Sequence, residues 1–232
     1  MNPKFGVVVF PGSNCDHDAY YSLKKVLDTD VRFLWHKDKE FDKCDVIVLP
    51  GGFSYGDYIR AGAVAKLSPI MNSVSEFAEK GGIVIGICNG FQILVESGLL
   101  PGILLKNSSL KFVCKDVFIT PVNRETIFTQ SINGKKALKV PIAHGEGNYF
   151  ADEETMKSLV ENNRIVFKYS TPEGEVNEES NPNGSLMNIA GIINTKGNVL
   201  GMMPHPERST DPVLFKTDGA LIFKSIIDHL TK

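Results

Sequence analysis

One cysteine of this chain occupies a position that activates a thiol. In Ile83-Val84-Ile85-Gly86-Ile87-Cys88-Asn89-Gly90-Phe91-Gln92, Cys88 stands between an apolar, β-branched run and a helix-like segment. A residue on a tight strand-to-helix turn is pushed beyond the sheet edge, and the partial positive charge of the helix N-terminus favours its thiolate, the nucleophilic form. Gly86 and Gly90 let backbone pack closely around such a turn. A thiol used this way needs a base, an orienter for the base, and donors for an oxyanion. Met203-Pro204-His205-Pro206-Glu207-Arg208 offers His205 as base and Glu207 as orienter. Pro206 biases His205 away from helix, and in an extended chain residues two apart point the same way. The carboxylate can then hold one imidazole nitrogen and leave the other to the thiol.

The oxyanion donors follow from the same logic. The backbone N–H of Asn89 comes next after the nucleophile, at a helix start. The second donor comes from Gly51 or Gly52 in Leu49-Pro50-Gly51-Gly52-Phe53, where glycine allows close approach to a substrate. Gln92 lies one helical turn after Cys88 on the same face, so its amide can bond a polar end of a substrate. Taken singly, each piece has a plain alternative: a core cysteine, a proline-rich turn, loop glycines, a solvent-facing glutamine. A second His-x-Glu pair, His144-Gly145-Glu146, sits in a glycine-flanked loop. Nothing in that loop's own sequence stiffens it, so it is the poorer base and reads as a mouth, an interface or an exposed loop.

These residues must be positioned by an α/β sheet. Apolar runs at 5–10, 31–35, 46–49 and 83–87 read as strands, and helical patterns at 16–28, from about 63 with a restart at Pro69 to 80, and at 89–97 alternate with them. Residues 36–45 read as a solvated loop, and a glycine-rich loop runs to Gly62. Both Cys88 and the Gly51-Gly52 pair then fall at carboxyl ends of strands, where ligands bind in open α/β sheets. Beyond Gly102 the pattern changes. Strands at 113–120, 137–143 and 164–170 lack regular crossovers, 173–184 is polar and turn-rich, and 186–193 with 199–203 flank a Thr195-Lys196-Gly197 turn as a hairpin. A final amphipathic helix spans 218–230, with Asp218 as its cap. The expected fold is α/β: a mostly parallel sheet flanked by helices, with antiparallel additions in the C-terminal half.

Bulk properties narrow the function class. The 232 residues are 42% hydrophobic and 22% charged, which fits one domain over 1–232. A formal net charge of −2 gives no global field for nucleic acid or an anionic membrane. No apolar stretch spans a bilayer, and the start of the chain lacks a signal peptide's apolar core, as expected of a cytoplasmic protein. The cysteines, Cys15, Cys44, Cys88 and Cys114, form no Cys-x-x-Cys pair, so neither a metal site nor a disulfide framework is expected. Neither a Gly-x-x-x-x-Gly-Lys-[Ser/Thr] loop nor a Gly-x-Gly-x-x-Gly turn occurs.

In order along the chain, Pro50-Gly51-Gly52, Gly86-Ile87-Cys88-Asn89-Gly90-Phe91-Gln92 and His205-Pro206-Glu207 resemble the class I (triad) glutamine amidotransferases, with their flavodoxin-like core. Gly51-Gly52-Phe53-Ser54-Tyr55-Gly56-Asp57-Tyr58, His144-Gly145-Glu146-Gly147 and Asn181-Pro182-Asn183-Gly184-Ser185 narrow the resemblance to the small, free-standing glutaminase subunits of phosphoribosylformylglycinamidine synthases. Residues 151–179 match least distinctively. The resemblance implies a glutaminase that forms glutamate and ammonia through Cys88, His205 and Glu207, with Gln92 helping to anchor the amino-acid end. It implies no cofactor in this chain. A separate synthetase subunit would use the ammonia, with ATP and Mg²⁺, to aminate formylglycinamide ribonucleotide in de novo purine synthesis, and a small third subunit would bridge the two. Ammonia becomes unreactive ammonium in neutral water, so low activity before assembly is expected. Loops 54–62 and 144–149 are the expected docking face, with Phe53, Tyr55, Tyr58 or Tyr149 exposed on it.

Overall fold

The apolar runs of the N-terminal half become the parallel half of one sheet. A computed structural model describes residues 2–214 and 216–232. Its strands are β1 (Lys4–Val9), β2 (Asp30–Trp35), β3 (Val46–Leu49), β4 (Ile83–Ile87), β5 (Ile103–Leu105), β6 (Val113–Pro121), β7 (Leu138–His144), β8 (Asn148–Phe150), β9 (Ile165–Ser170), β10 (Ile189–Ile193) and β11 (Val199–Met202). The α-helices are α1 (Asp16–Tyr21), α2 (Ile70–Glu79), α3 (Asn89–Glu96), α4 (Glu153–Glu161) and α5 (Ala220–Thr231). Nine strands form the main sheet in the order β2-β1-β3-β4-β11-β10-β9-β6-β7, and β5 pairs with β8 apart from it.

From β2 to β11 all neighbours pair parallel. From β11 outward, β10, β9, β6 and β7 pair antiparallel. The expected architecture is therefore present, with the hairpin partner β11 belonging to the parallel half. Every residue of β3 and β4 is buried, as continuous apolar strands covered on both faces require. Helix α3 packs against β3, β4 and β11. The loops after β1, β3, β4 and β11 thus emerge at one edge of the sheet, bringing together residues distant in sequence.

Some elements differ from the sequence-based expectations. The helix at 16–28 is α-helical only to Tyr21 and continues as a wider π-turn, Ser22–Val26, before Asp28 takes φ 52°. The segment from 63 forms only the short turn Ala65–Leu67, because Ser68 precedes a proline and is extended at ψ 137°. His36, placed in a solvated loop by the sequence, is buried, with Nδ1 2.7 Å from the Tyr55 hydroxyl. Residues 186–188 form a 3-10 turn before β10. Asp218 does not cap α5. Its carboxylate instead accepts from the Lys139 N–H at 2.8 Å and pairs with Lys135, and Gly219 occupies the helix start. The unread helix α4 is capped by Asp152, whose side chain accepts from Thr155 N–H at 2.8 Å. That Asp-x-x-Thr start was visible in the sequence. The apolar face behind it was faint, since only Leu159 of this helix is buried.

Candidate active site

Cys88 sits where β4 stops and α3 begins, with φ 50° and ψ −105°. This backbone is strained for a side chain with a Cβ, and strain of this kind persists only where its surroundings enforce it. The Cys88 N–H donates to the Met202 carbonyl at 2.7 Å, extending the β4–β11 ladder by one residue and fixing the elbow. Gly90 has no room for a side chain: an added Cβ would lie 2.0 Å from the Leu49 carbonyl oxygen. A Gly90→Ala variant is therefore expected to lose about 1–3 kcal/mol of stability in denaturant titration, because neither α3 nor β3 backbone can yield cheaply.

The two glycines after β3 separate by role. A Cβ on Gly51 would lie 2.6 Å from His205 Cε1, so Gly51 packs against the imidazole. Gly52, at φ 125°, lines the same cleft as Cys88. As the first residue of α3, Asn89 has no carbonyl one turn earlier to receive its N–H. Its side chain accepts from the Ser54 N–H at 3.1 Å and donates to Asp57 Oδ1 at 3.2 Å and Gln92 Oε1 at 2.9 Å. Gln92 also lines the cleft, and its Nε2 donates to the Glu146 carbonyl at 2.6 Å.

His205 and Glu207 are both buried, with His205 Nδ1 2.6 Å from Glu207 Oε1. Sequence reasoning placed the two residues on an extended chain. Instead His205 takes φ −100° and ψ 88°, and Pro206–Arg208 form a 3-10 turn, favoured because proline's fixed φ suits a first helical position. Burial opposes charge on the ring, but the Glu207 carboxylate and then Cys88 overcome it and hold the His205 pKa well above 6.5. His205 Nε2 has no hydrogen-bond partner among the described residues. The Cys88 thiol lies beside that ring but directs its hydrogen to the Ala143 carbonyl, 3.7 Å from the sulfur. Such contacts often tighten only when substrate binds.

The other His-x-Glu pair has the opposite character. Burial lowers the His144 pKa to about 4, so the ring is neutral at physiological pH. Its loop is not slack, contrary to the sequence-based reading. Asn107 Oδ1 receives the Gly147 N–H at 3.1 Å, and Asn183 Nδ2 donates to the Gly147 carbonyl at 2.7 Å. Both asparagines come from remote segments, so local sequence held no sign of them. Sequence reasoning also missed Cys15. Its Sγ accepts from Arg208 Nη2 at 2.9 Å and lies beside His205, and Cys15, His205 and Glu207 offer ligand atoms within 4.8 Å of one another. Burial raises the Cys15 pKa, whereas Cys88 stands at the helix start and on the cleft. Asp57 also lines the cleft, and burial with the nearby Glu146 charge pushes its carboxyl up to about 6.

A thiol on a strained elbow, an imidazole held charged by a buried carboxylate, and backbone donors across a cleft can cleave an amide through a thioester. On this sheet, they define the class I glutamine amidotransferase architecture. The chain belongs to the CobB/CobQ-like glutamine amidotransferase family, whose model matches residues 2–219. It is 56% identical to the phosphoribosylformylglycinamidine synthase subunit PurQ of Koribacter versatilis over 99% of both chains. It is 57% identical to the PurQ of Chlorobium chlorochromatii over 97% of each. A chain in the solved structure of PurLQS from Thermotoga maritima matches with a TM-score of 0.87 at 42% identity, covering 99% of this chain and all of that one.

Proposed function

We propose that this chain is the glutaminase subunit of a phosphoribosylformylglycinamidine synthase, acting as one amidotransferase domain in the cytoplasm. The observation that carries the reading is the buried His205–Glu207 pair, 2.6 Å apart, with Cys88 beside the ring and no partner on its Nε2 among the described residues. The PurQ relatives supply the enzyme and its pathway step. No described helix is long and apolar enough to cross a membrane.

In the proposed reaction, the Cys88 thiolate attacks the side-chain carboxamide of L-glutamine. The Asn89 and Gly52 N–H groups hold the oxyanion, with Gly51, which packs against the imidazole, the fallback donor. His205 protonates the leaving nitrogen, releasing ammonia and a thioester. The same ring then takes a proton from water as it attacks the thioester, which releases glutamate and restores the thiol. Glu207 orients the ring and supports its charge. Gln92 helps anchor the amino-acid end. No step draws on a cofactor held by this chain. ATP and Mg²⁺ act in the synthetase subunit, which aminates formylglycinamide ribonucleotide, and a small subunit bridges the pair.

Two experiments test this reading. A glutamine-like electrophile should label Cys88, with L-glutamine protecting it. Adding the chain to its synthetase should confer glutamine-dependent amination. Labelling spread over all cysteines, or amination that still requires added ammonia, would count against it.

The docking face is assigned to the rim of the cleft. Tyr58 is 75% exposed and Ile59 94% exposed, the latter held at φ 74°, a costly backbone for a β-branched residue. Phe53 and Phe112, which line the cleft, stack on each other and are exposed. Tyr149, in contrast, is buried against Phe91 and belongs to the core. Tyr55 is tied to His36 and Ser68. An Ile59→Lys change is expected to weaken assembly about tenfold or more in a titration of glutaminase activation by the synthetase, since it sets a charge into an apolar contact.

A further inference from the structure

The cleft beside Cys88 has acceptors on its walls but no cation. Its volume is about 180 Å³, and among the described residues no lysine or arginine lines it. Asp57 and Glu146 both do, close enough for the Glu146 charge to act on Asp57. The Glu146 backbone is fixed by Gln92, while Asp57 is held by Asn89. Arg60 is near enough to act on Glu146, but it is paired with Glu96 and does not line the cleft; two carboxylates converging on a cleft repel one another unless a cation joins them there.

His144 supplies an independent sign of a ligand there. It lines the same cleft, is 3% exposed, and its Nε2 has no partner among the described residues. The protonation state follows from Asn107. That side chain's Nδ2 donates to the Lys111 carbonyl at 2.9 Å and the His144 carbonyl at 2.8 Å, so its Oδ1 is an acceptor. Oδ1 lies 3.0 Å from His144 Nδ1, which must therefore carry the ring proton. Nε2 is left as a bare lone pair. Two carboxylates and one imidazole lone pair make an acceptor set suited to a group with positive charge and several N–H donors.

We propose that Asp57 and Glu146 bind the α-ammonium group of the glutamine substrate and so determine that the enzyme takes an α-amino acid amide. This rests on the glutaminase reading above. It also gives Gln92 and Asn89 a defined part. Their side chains are bonded to each other, and through Glu146 and Asp57 they fix the two walls that carry the acids. With the carboxamide on Cys88 at one end and the ammonium between the acids at the other, the substrate is held by both its reacting group and its fixed charge.

The test compares L-glutamine with glutaramate, which is glutamine without its α-amino group, in hydrolysis by the full chain assembled with its synthetase. The wild-type protein should favour glutamine in kcat/KM by about 10- to 100-fold or more, the range for a charged hydrogen-bonding group. Asp57→Asn and Glu146→Gln should each reduce that preference about tenfold, chiefly through a higher KM for glutamine. The ratio of two substrates on one preparation is insensitive to the fraction folded. If wild-type protein hydrolyses glutamine but shows no preference, or if both variants keep the full preference, the ammonium site is overturned and the glutaminase reading stands. If the assembled wild-type protein hydrolyses neither amide, the glutaminase reading itself fails.

Discussion

Replacing Cys88 with Ala will lower glutamine-dependent amination by about 10⁶-fold, to the background left by the rest of a cleavage site. The size follows from covalent catalysis. Without sulfur there is no thioester, and His205 and the oxyanion donors have no attack to assist. Amination driven by added ammonium salts will persist, because that chemistry takes place in the synthetase. The measurement is product formation with glutamine and with ammonia, in the assembled enzyme. Glutamate production by the Cys88→Ala protein would sink the assignment. Ammonia-dependent synthesis requires only that the partner remain intact, so co-elution of the Cys88→Ala chain with its synthetase is the control for folding.

The second large effect is expected at Glu207, which touches His205. Glu207→Gln keeps the shape and loses the charge, and kcat should fall about 10⁴-fold, as for loss of the acid in other nucleophile–His–acid triads. Its pH signature separates it from a structural defect. In the folded protein, Glu207 helps hold the His205 pKa above 6.5 against burial. Removing that charge lowers the pKa, so the imidazolium that pairs with the thiolate is lost at lower pH. Because the imidazolium must protonate the leaving nitrogen, the alkaline limb of the pH profile of kcat/KM should therefore move to lower pH in Glu207→Gln. A variant with unchanged kcat, or with its alkaline limb unmoved, would remove Glu207 from this role.

Much of the parallel core was readable because its signals are local. A continuous apolar run such as residues 83–87 specifies a strand covered on both faces, and Gly86 and Gly90 specify a crowded elbow at Cys88. The pairing of His205 with Glu207 was legible from their spacing, although a 3-10 turn rather than an extended strand brings them together. Helix α4 escaped notice because its apolar face is thin.

By itself the sequence determined the alternation of strands and helices, the elbow thiol, and the residue types of a nucleophile, base and acid. Only the tertiary structure decided that Gly51 lies on the imidazole while Gly52 lines the cleft, and that Cys15, held by Arg208, lies beside the same ring. It alone revealed a loop at 144–147 held rigid by Asn107 and Asn183, with Glu146 facing the cleft that Asp57 also lines. The reason is range. Periodicity and turn chemistry act over a few residues, whereas sheet order brings together the ends of β1, β3, β4 and β11, and the partners across that edge are chosen by packing.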